Sequence, residues 1–360
     1  MKFECKRDEL LNVLEIVLPA INSKSTAPIL TNVFVDAKKD KIVFTATSLD
    51  IILISTLNIT VAEIGSLLIP AQKLVAIIKE LSIEDNVSIT SNKDDKAMII
   101  KAGNSTFKIA CMPKSEYPKL PLFKDIDTIK VPQQTLKSLI NKVSFAMLPD
   151  NSRPMLCGIL FEFKKNTLTV VATDAKRIAI AKIIIINEIE KSFILPMKSV
   201  NVLTKMLTNN DININIEKSR ISFLDKDTQF ISNLIDGEFP AYEKAIPKES
   251  KEKLIINRID FISALKKAAL FTNSNSIGVQ LKIDIEKIII SKQTEMDDAH
   301  IKLDCKFTKD MTIGFNPNYL LDILNNIKEA SLEIELESSD RPALLRKKDD
   351  YIYIMLPTRI

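Results

Sequence analysis

Tryptophan is absent from the 360 residues, histidine occurs once and glycine six times. Aromatic residues make up only 6%, too few for base-stacking platforms to be the main chemistry. With His300 as the one histidine, a Ser-His-Asp or Cys-His triad must use it or nothing, and an HExxH metal motif is excluded. His300 follows Asp297-Asp298-Ala299 and reads as an exposed turn residue leading into an alternating strand. The glycines are scattered, so neither GxGxxG nor a Walker-type loop can be assembled. Cys5, Cys111, Cys157 and Cys305 stand apart with no CxxC, which argues against zinc and fits a reducing cytoplasm. The longest charge-free apolar run covers about residues 51–62, short of the roughly 18 residues a membrane span needs. The Met1-Lys2-Phe3-Glu4 start carries no apolar signal core.

What is present is core-forming material: 46% apolar and 27% charged residues, with 50 basic against 46 acidic for a net charge of +4. At about 100–200 residues per domain the length fits two or three domains. An internal repeat sets the number. Amphipathic helices are expected over 8–21, 132–147 and 258–273. Their stripes are Leu10/Val13/Val17, Leu136/Leu139/Val143 and Ile262/Leu265/Ala269, each at spacing i, i+3, i+7. A second helix follows in each copy, opened by Pro70, Pro196 and Pro317, since proline suits a first helical turn. Between helices the chain alternates with period two, as in residues 41–46, 97–100, 166–171, 212–216 and 332–336. Such alternation marks half-buried antiparallel strands. The fold class is therefore α+β, in three repeats of roughly 120 residues. Boundaries fall in the turns near 121–127 and 247–253, giving domains 1–124, 125–249 and 250–360.

The six helices carry ten basic residues (Lys73, Lys79, Lys137, Lys142, Lys198, Lys205, Arg258, Lys266, Lys267, Lys328) against six acidic ones (Asp8, Glu9, Glu15, Glu80, Asp260, Asp322). That face suits either weak phosphate attraction or plain solvation. The polar loops 21–28 and 148–154 each hold one cation, Lys24 or Arg153, among small polar residues. Each is open to two readings, a phosphate-touching loop tip or an ordinary turn. Asp50 and Asp174 occupy matching repeat positions, which favours a turn role over a catalytic carboxylate pair. The C-terminus, residues 352–360, is too apolar for a frayed tail. It is either an edge strand of the third sheet or a wall of a partner-binding groove near Met155, Leu156, Arg177 and Ile178.

Several segments together resemble the bacterial DNA polymerase III beta-subunit family, the beta sliding clamps. They are Met1-Lys2-Phe3, residues 27–32, Val171 through Ala179, Leu234 through Tyr242, Ile313 through Leu320 and Leu356-Pro357-Thr358-Arg359. The resemblance runs end to end. It implies three repeated DNA-clamp domains, each two helices on antiparallel sheets, paired head to tail as a homodimeric ring around duplex DNA. It implies a non-catalytic, cytoplasmic processivity factor with no metal or cofactor. The implied partners are duplex DNA without sequence preference, a second copy, the polymerase III alpha subunit, the clamp loader and its delta subunit, and other polymerases and repair proteins; no membrane is involved. The resemblance places a peptide pocket at Arg153, Met155, Leu156, Thr173, Ala175, Lys176, Arg177, Ile178, Pro240, Lys244, Ala245, Pro342, Ile354, Leu356, Thr358 and Arg359. It places DNA contacts at Lys24, Gln72, Lys73, Pro149, Asn151, Arg153 and Pro154. The implied dimer seam joins Ile77, Leu81 and Phe107 to Leu270 and Phe271. Relatives often carry Gly-His or Gly-Tyr at Ala175-Lys176, an apolar residue at Thr358 and, in some, an aromatic at Met155, so pocket preferences are expected to differ; arginine in relatives at Gln72 bears instead on that DNA contact.

Overall fold

The computed structural model describes residues 1–22, 27–83, 85–92, 96–112, 114–118, 123, 128–150, 152–186, 188–273, 276–295, 297–347 and 350–359. Among the described residues the α-helices are α1 (Arg7–Val17), α2 (Ala71–Glu80), α3 (Gln133–Val143), α4 (Met197–Met206), α5 (Arg258–Ala269) and α6 (Pro317–Asn326). The threefold repeat is visible at the start of each copy. A five-residue strand, Lys2–Lys6, Thr128–Pro132 or Lys253–Asn257, buries its second and fourth residues and runs directly into a helix. Period two then gives way to period 3.6, as one buried sheet face becomes one buried helical stripe.

That stripe is Leu10, Val13, Leu14 and Val17 in α1, and Leu136, Leu139, Ile140 and Val143 in α3, as the spacing predicts. In α5 the expected stripe is off by one residue. Phe261, Ala264, Leu265 and Ala268 are buried, while Ile262 and Ala269 are only half-buried. Both registers share the spacing, and the bulkier Phe261 takes the core. The proline expectation also needs correction. Only Pro317 lies inside a first turn, after Asn316, whose Oδ1 accepts the Asn318 N–H at 3.0 Å. Pro70 and Pro196 instead end the strands Gly65–Pro70 and Lys191–Pro196 that precede α2 and α4.

One device recurs in the first and third copies, with a different bond in the middle one. The first residue of each leading helix reaches toward the C-terminal end of the second helix, where backbone groups lack helical partners. Arg7 donates from Nε to the Ile78 carbonyl (2.9 Å) and from Nη2 to that of Lys79 (2.7 Å). Arg258 does the same to Glu329 (2.9 Å) and Leu324 (3.1 Å). In the middle copy Gln133 accepts the Thr208 N–H on Oε1 (2.6 Å). The helix charge count changes accordingly. Arg7 belongs to α1, Lys328 lies beyond α6, and the guanidinium of Arg258 is spent on carbonyls rather than offered to phosphate.

Residues 1–135 and 201–234 form one compact unit; residues 136–200 and 235–360 form the other. The first holds a five-stranded sheet and an eight-stranded sheet, the second a twelve-stranded sheet. Within the twelve-stranded sheet the order runs Gly158–Lys164, Thr167–Thr173, Arg177–Ile184, Tyr351–Met355, Ala343–Lys347. The C-terminal strand is thus interior, paired on both sides, which corrects the edge-strand reading. His300 sits within the strand Asp298–Lys306 rather than before it, and is exposed beside Asp298 at 3.6 Å. Among the described residues no helix is long and apolar enough to cross a membrane.

Candidate functional site

The turn Thr173–Arg177 is built by its own side chains. Thr173 Oγ1 donates to the Arg177 carbonyl (2.6 Å) and accepts the Ala175 N–H (3.1 Å). Asp174 Oδ1 accepts the N–H groups of Lys176 (2.9 Å) and Arg177 (3.0 Å). Ala175 has φ of 71°, a left-handed conformation that a small residue tolerates better than a bulky one. Ala175 and Lys176 are left exposed at the tip. The turn Thr47–Ile51 repeats the pattern: Thr47 bonds the Ile51 carbonyl and the Leu49 N–H, and Leu49 has φ of 74°. Asp174 is therefore a turn anchor, but its counterpart in the first turn is Ser48, while Asp50 falls at the place of Lys176, which corrects the expected match of the two aspartates.

Long-range pairing brings this turn to the C-terminus. Arg177 lies opposite Met355 and Ile178 opposite Ile354, and the Leu356 N–H donates to the Lys176 carbonyl at 2.9 Å. Ile178 packs on a cluster of Leu160, Val171, Ile180, Ile194 and Tyr242, joined by Ile235, Phe239, Ile246 and Ile352. Above that floor Leu356 is 44% exposed and Met155 37% exposed, more than their hydrophobicity favours. Met155 lies against Gly237, where an added Cβ would come within 3.2 Å of its Cγ. A neighbouring cavity of about 220 Å³ gathers Lys244, Ala245 and Pro342 with Pro247, Lys248, Glu335, Arg341 and Leu344. Lys248 and Arg341 were not foreseen, because nothing in their local sequence marks a concavity.

Other implied pocket residues stand differently. Pro240 and Arg359 are exposed; Thr358 is half-buried and donates its N–H to the Gly314 carbonyl at 2.9 Å. Thr173, Leu156 and Ile354 are buried, so they shape the floor from below. Arg177 is the largest departure, with only 7% of its surface exposed. Its Nε bonds Asp174 (3.0 Å), Nη1 bonds Asp322 (2.5 Å), and Nη2 bonds the Phe145 carbonyl (2.7 Å). The guanidinium also lies 4.2 Å from the Tyr319 ring centre. Burial works against its charge, but Asp322, Tyr353 and Asp174 raise its hold on the proton above the ordinary value. Each nitrogen of the guanidinium thus already holds a bond inside the fold, and its burial keeps it from serving as a rim contact.

Of the implied DNA contacts, Lys24 and Asn151 lie outside the described residues. Gln72 and Lys73 are exposed in the first turn of α2, and Pro149, Arg153 and Pro154 are exposed in their loop. Asp150 shares that loop. Bonds from the Ser152 hydroxyl and N–H, with Arg153 nearby, hold its carboxyl below the usual range, so it partly offsets Arg153. Of the implied seam residues, Leu81 is buried in its own unit, Ile77, Phe107 and Phe271 are half-buried, and Leu270 is 82% exposed. Leu270 therefore does not pack in the core of its own unit. Phe107 lies on Ser105–Ala110, the last strand of the five-stranded sheet. The strand Asp298–Lys306 pairs along its length with Lys287–Gln293, but with Lys253–Asn257 only at Cys305 and Lys306. Among the described residues each unit thus presents a strand that is paired along one side only, a template for pairing with another chain. By contrast Met112, Ile235 and Thr358 close other sheet edges with single backbone bonds.

Comparison with known proteins gives the same picture along the whole chain. Residues 1–121, 130–241 and 243–359 match the family models for the N-terminal, central and C-terminal domains of the DNA polymerase III beta subunit. The beta sliding clamp of Haemophilus influenzae is 30% identical over 370 residues, covering all of both chains. That of Chlamydia pneumoniae is 29% identical, covering all of this chain and 99% of the relative. Among solved structures, the DNA polymerase III subunit beta from Pseudomonas aeruginosa aligns with a TM-score of 0.95 at 27% identity over all of both chains. The DNA polymerase sliding clamp from Bacillus subtilis aligns at 0.93 and 29% over 100% of this chain and 99% of that one.

Proposed function

The chain belongs to the DNA polymerase III beta-subunit family, and on that footing we propose how its own residues perform the work of a sliding clamp. It is a non-catalytic processivity factor: two copies encircle duplex DNA and tether the replicative polymerase. A ring holds DNA by topology, so it needs no tight grip, and weak attraction to phosphates permits sliding. The small net charge of +4 suits that task. So does the loop in which Asp150 offsets Arg153. Three domains at 1–124, 125–249 and 250–360 supply half of the ring.

The observation that carries the ring is the pair of open strand edges, one in each unit. A second copy placed head to tail would pair the edge at 105–110 with the edge at 298–304, and two such contacts close a twofold ring. Phe107 would then meet the exposed Leu270 and its neighbour Phe271, with Ile77 beside them; Leu81 supports the seam from inside its own core. Gln72, Lys73 and the 149–154 loop would face phosphates, and Lys24 and Asn151 join them by the resemblance alone.

The docking site proposed for partner segments is the cup of Ile178, Ile354, Leu356 and Met155, rimmed by Lys176, Pro240 and Lys244. An apolar floor with few polar groups suits a short peptide with apolar anchors. The partners proposed for it are the polymerase alpha subunit, the clamp loader through its delta subunit, and repair proteins, in a cytoplasmic setting. Sedimentation of the purified chain tests the ring first. A species of twice the 40.5 kDa chain mass is expected; a single-chain mass at micromolar concentration would exclude it.

A further inference from the structure

Arg177 joins three parts of the fold that are far apart in sequence. Asp174 belongs to the turn that rims the docking cup, Asp322 lies on α6, and the Phe145 carbonyl lies in the short helical turn Ser144–Ala146 that follows α3. Phe145 stands four residues before Pro149, where the exposed 149–154 loop begins. The chain between them has little slack: the Leu148 N–H bonds the Leu156 carbonyl and the Leu156 N–H bonds the Arg153 carbonyl, both at 2.9 Å. Tyr353, in the C-terminal strand beside the cup, closes the box. Its ring lies 5.7 Å from that of Phe145, and its hydroxyl bonds the Tyr319 carbonyl on α6.

A guanidinium with three anchors in a fixed plane cannot follow one of them without straining the others. Any movement of the 173–177 turn that admits a peptide is therefore felt at Phe145, and from there at the loop. We infer that Arg177 is a positioning residue that couples the docking cup to the 149–154 loop, so that a bound peptide alters the loop's freedom to meet phosphate. The inference rests on the docking reading above. It assigns Arg177 a role different from a direct peptide contact: its side chain is buried, and Nε, Nη1 and Nη2 each already hold a bond inside the fold. By linkage the effect runs both ways, so phosphate contact at the loop would change peptide affinity by the same factor.

The test uses the full-length chain and a synthetic peptide carrying glutamine and leucine anchors. Amide hydrogen exchange is followed at 173–178 and at 148–157, with and without peptide, in wild type, Arg177→Lys and Asp322→Asn. Lysine keeps the charge but reaches only one anchor. Asp322→Asn removes one carboxylate at a partly exposed position, which guards against a variant that fails to fold. In wild type the peptide should slow exchange in both segments. In both variants the protection at 173–178 should persist, the response at 148–157 should vanish, and affinity should fall roughly tenfold, the size expected for coupling through a packed network. A response at 148–157 that survives both substitutions would overturn the coupling while leaving the docking site standing. Absence of any peptide effect at 173–178 in wild type would overturn the docking reading, and the coupling with it.

Discussion

Ile178 and Ile354 sit opposite each other across an antiparallel pairing that joins the middle of the chain to its last strand. The pairing makes the C-terminus part of a sheet as far as Met355, and leaves Leu356 through Arg359 beyond it. Among the described residues two backbone bonds hold that tail, from the Leu356 N–H to the Lys176 carbonyl and from the Thr358 N–H to the Gly314 carbonyl. Strand and tail can therefore be separated by mutation.

Deleting residues 356–360 should remove peptide binding while preserving fold and dimer. Losing one well-buried Leu contact typically costs about 1–3 kcal/mol, or roughly ten- to a hundredfold in affinity. A peptide titration and a sedimentation run on the truncated chain check both halves. Unchanged affinity would remove the tail from the site; loss of folding would show that the tail is structural.

Leu270 can carry a charge at little cost to the folded chain, because it is 82% exposed. Surface substitutions of this kind usually shift stability by no more than about 0.5 kcal/mol. Leu270→Asp combined with Phe271→Asp should give a folded monomer by sedimentation. A dimer that survives at micromolar concentration would place the seam elsewhere.

Arg7→Ala and Arg258→Ala should each destabilise the chain by about 1–3 kcal/mol, since each leaves helix-end carbonyls without their partners. Lysine at either position should restore only part of the loss. Urea unfolding measures this, and a change below about 0.5 kcal/mol in both would show that water replaces the arginine freely.

Cys5 and Cys305 predict an alkaline weakness. Burial, then nearby carboxylates, pushes Cys5 up from 9.0 to about 12 and Cys305 to about 11. A thiol whose pKa is raised by folding favours the fold while protonated. That contribution is complete below about pH 9 and is lost as the pH climbs toward 11 or 12. The urea midpoint should therefore fall between pH 8.5 and 10.5, and Cys5→Ala should flatten part of that fall. Identical slopes in wild type and variant would contradict the assignment.

How much of this was readable beforehand depends on whether a feature is local. The stripes of α1 and α3 followed from spacing, because a helical face is set by residues three and four apart. In α5 two neighbouring registers were both apolar, and side-chain volume decided between them. The interior place of the C-terminal strand was not legible, and edge strand and groove wall stayed open, because its partner at 177–184 lies about 170 residues away, a distance no period reports. The burial of Arg177 escaped for the same reason: it depends on Asp322, 145 positions along the chain. The turn role of Asp174 was legible from the repeat, but the match with Asp50 slipped by two residues, because the shared Thr that closes each turn, Thr47 and Thr173, sets the register.

The central claim is that the protein stays on DNA by topology rather than affinity. The direct measurement is retention after loading on circular duplex against linear duplex with free ends, at moderate salt. The account predicts stable retention on the circle, rapid loss from the linear form, and restored retention when its ends are blocked. Equal retention on circular and open linear DNA would contradict it.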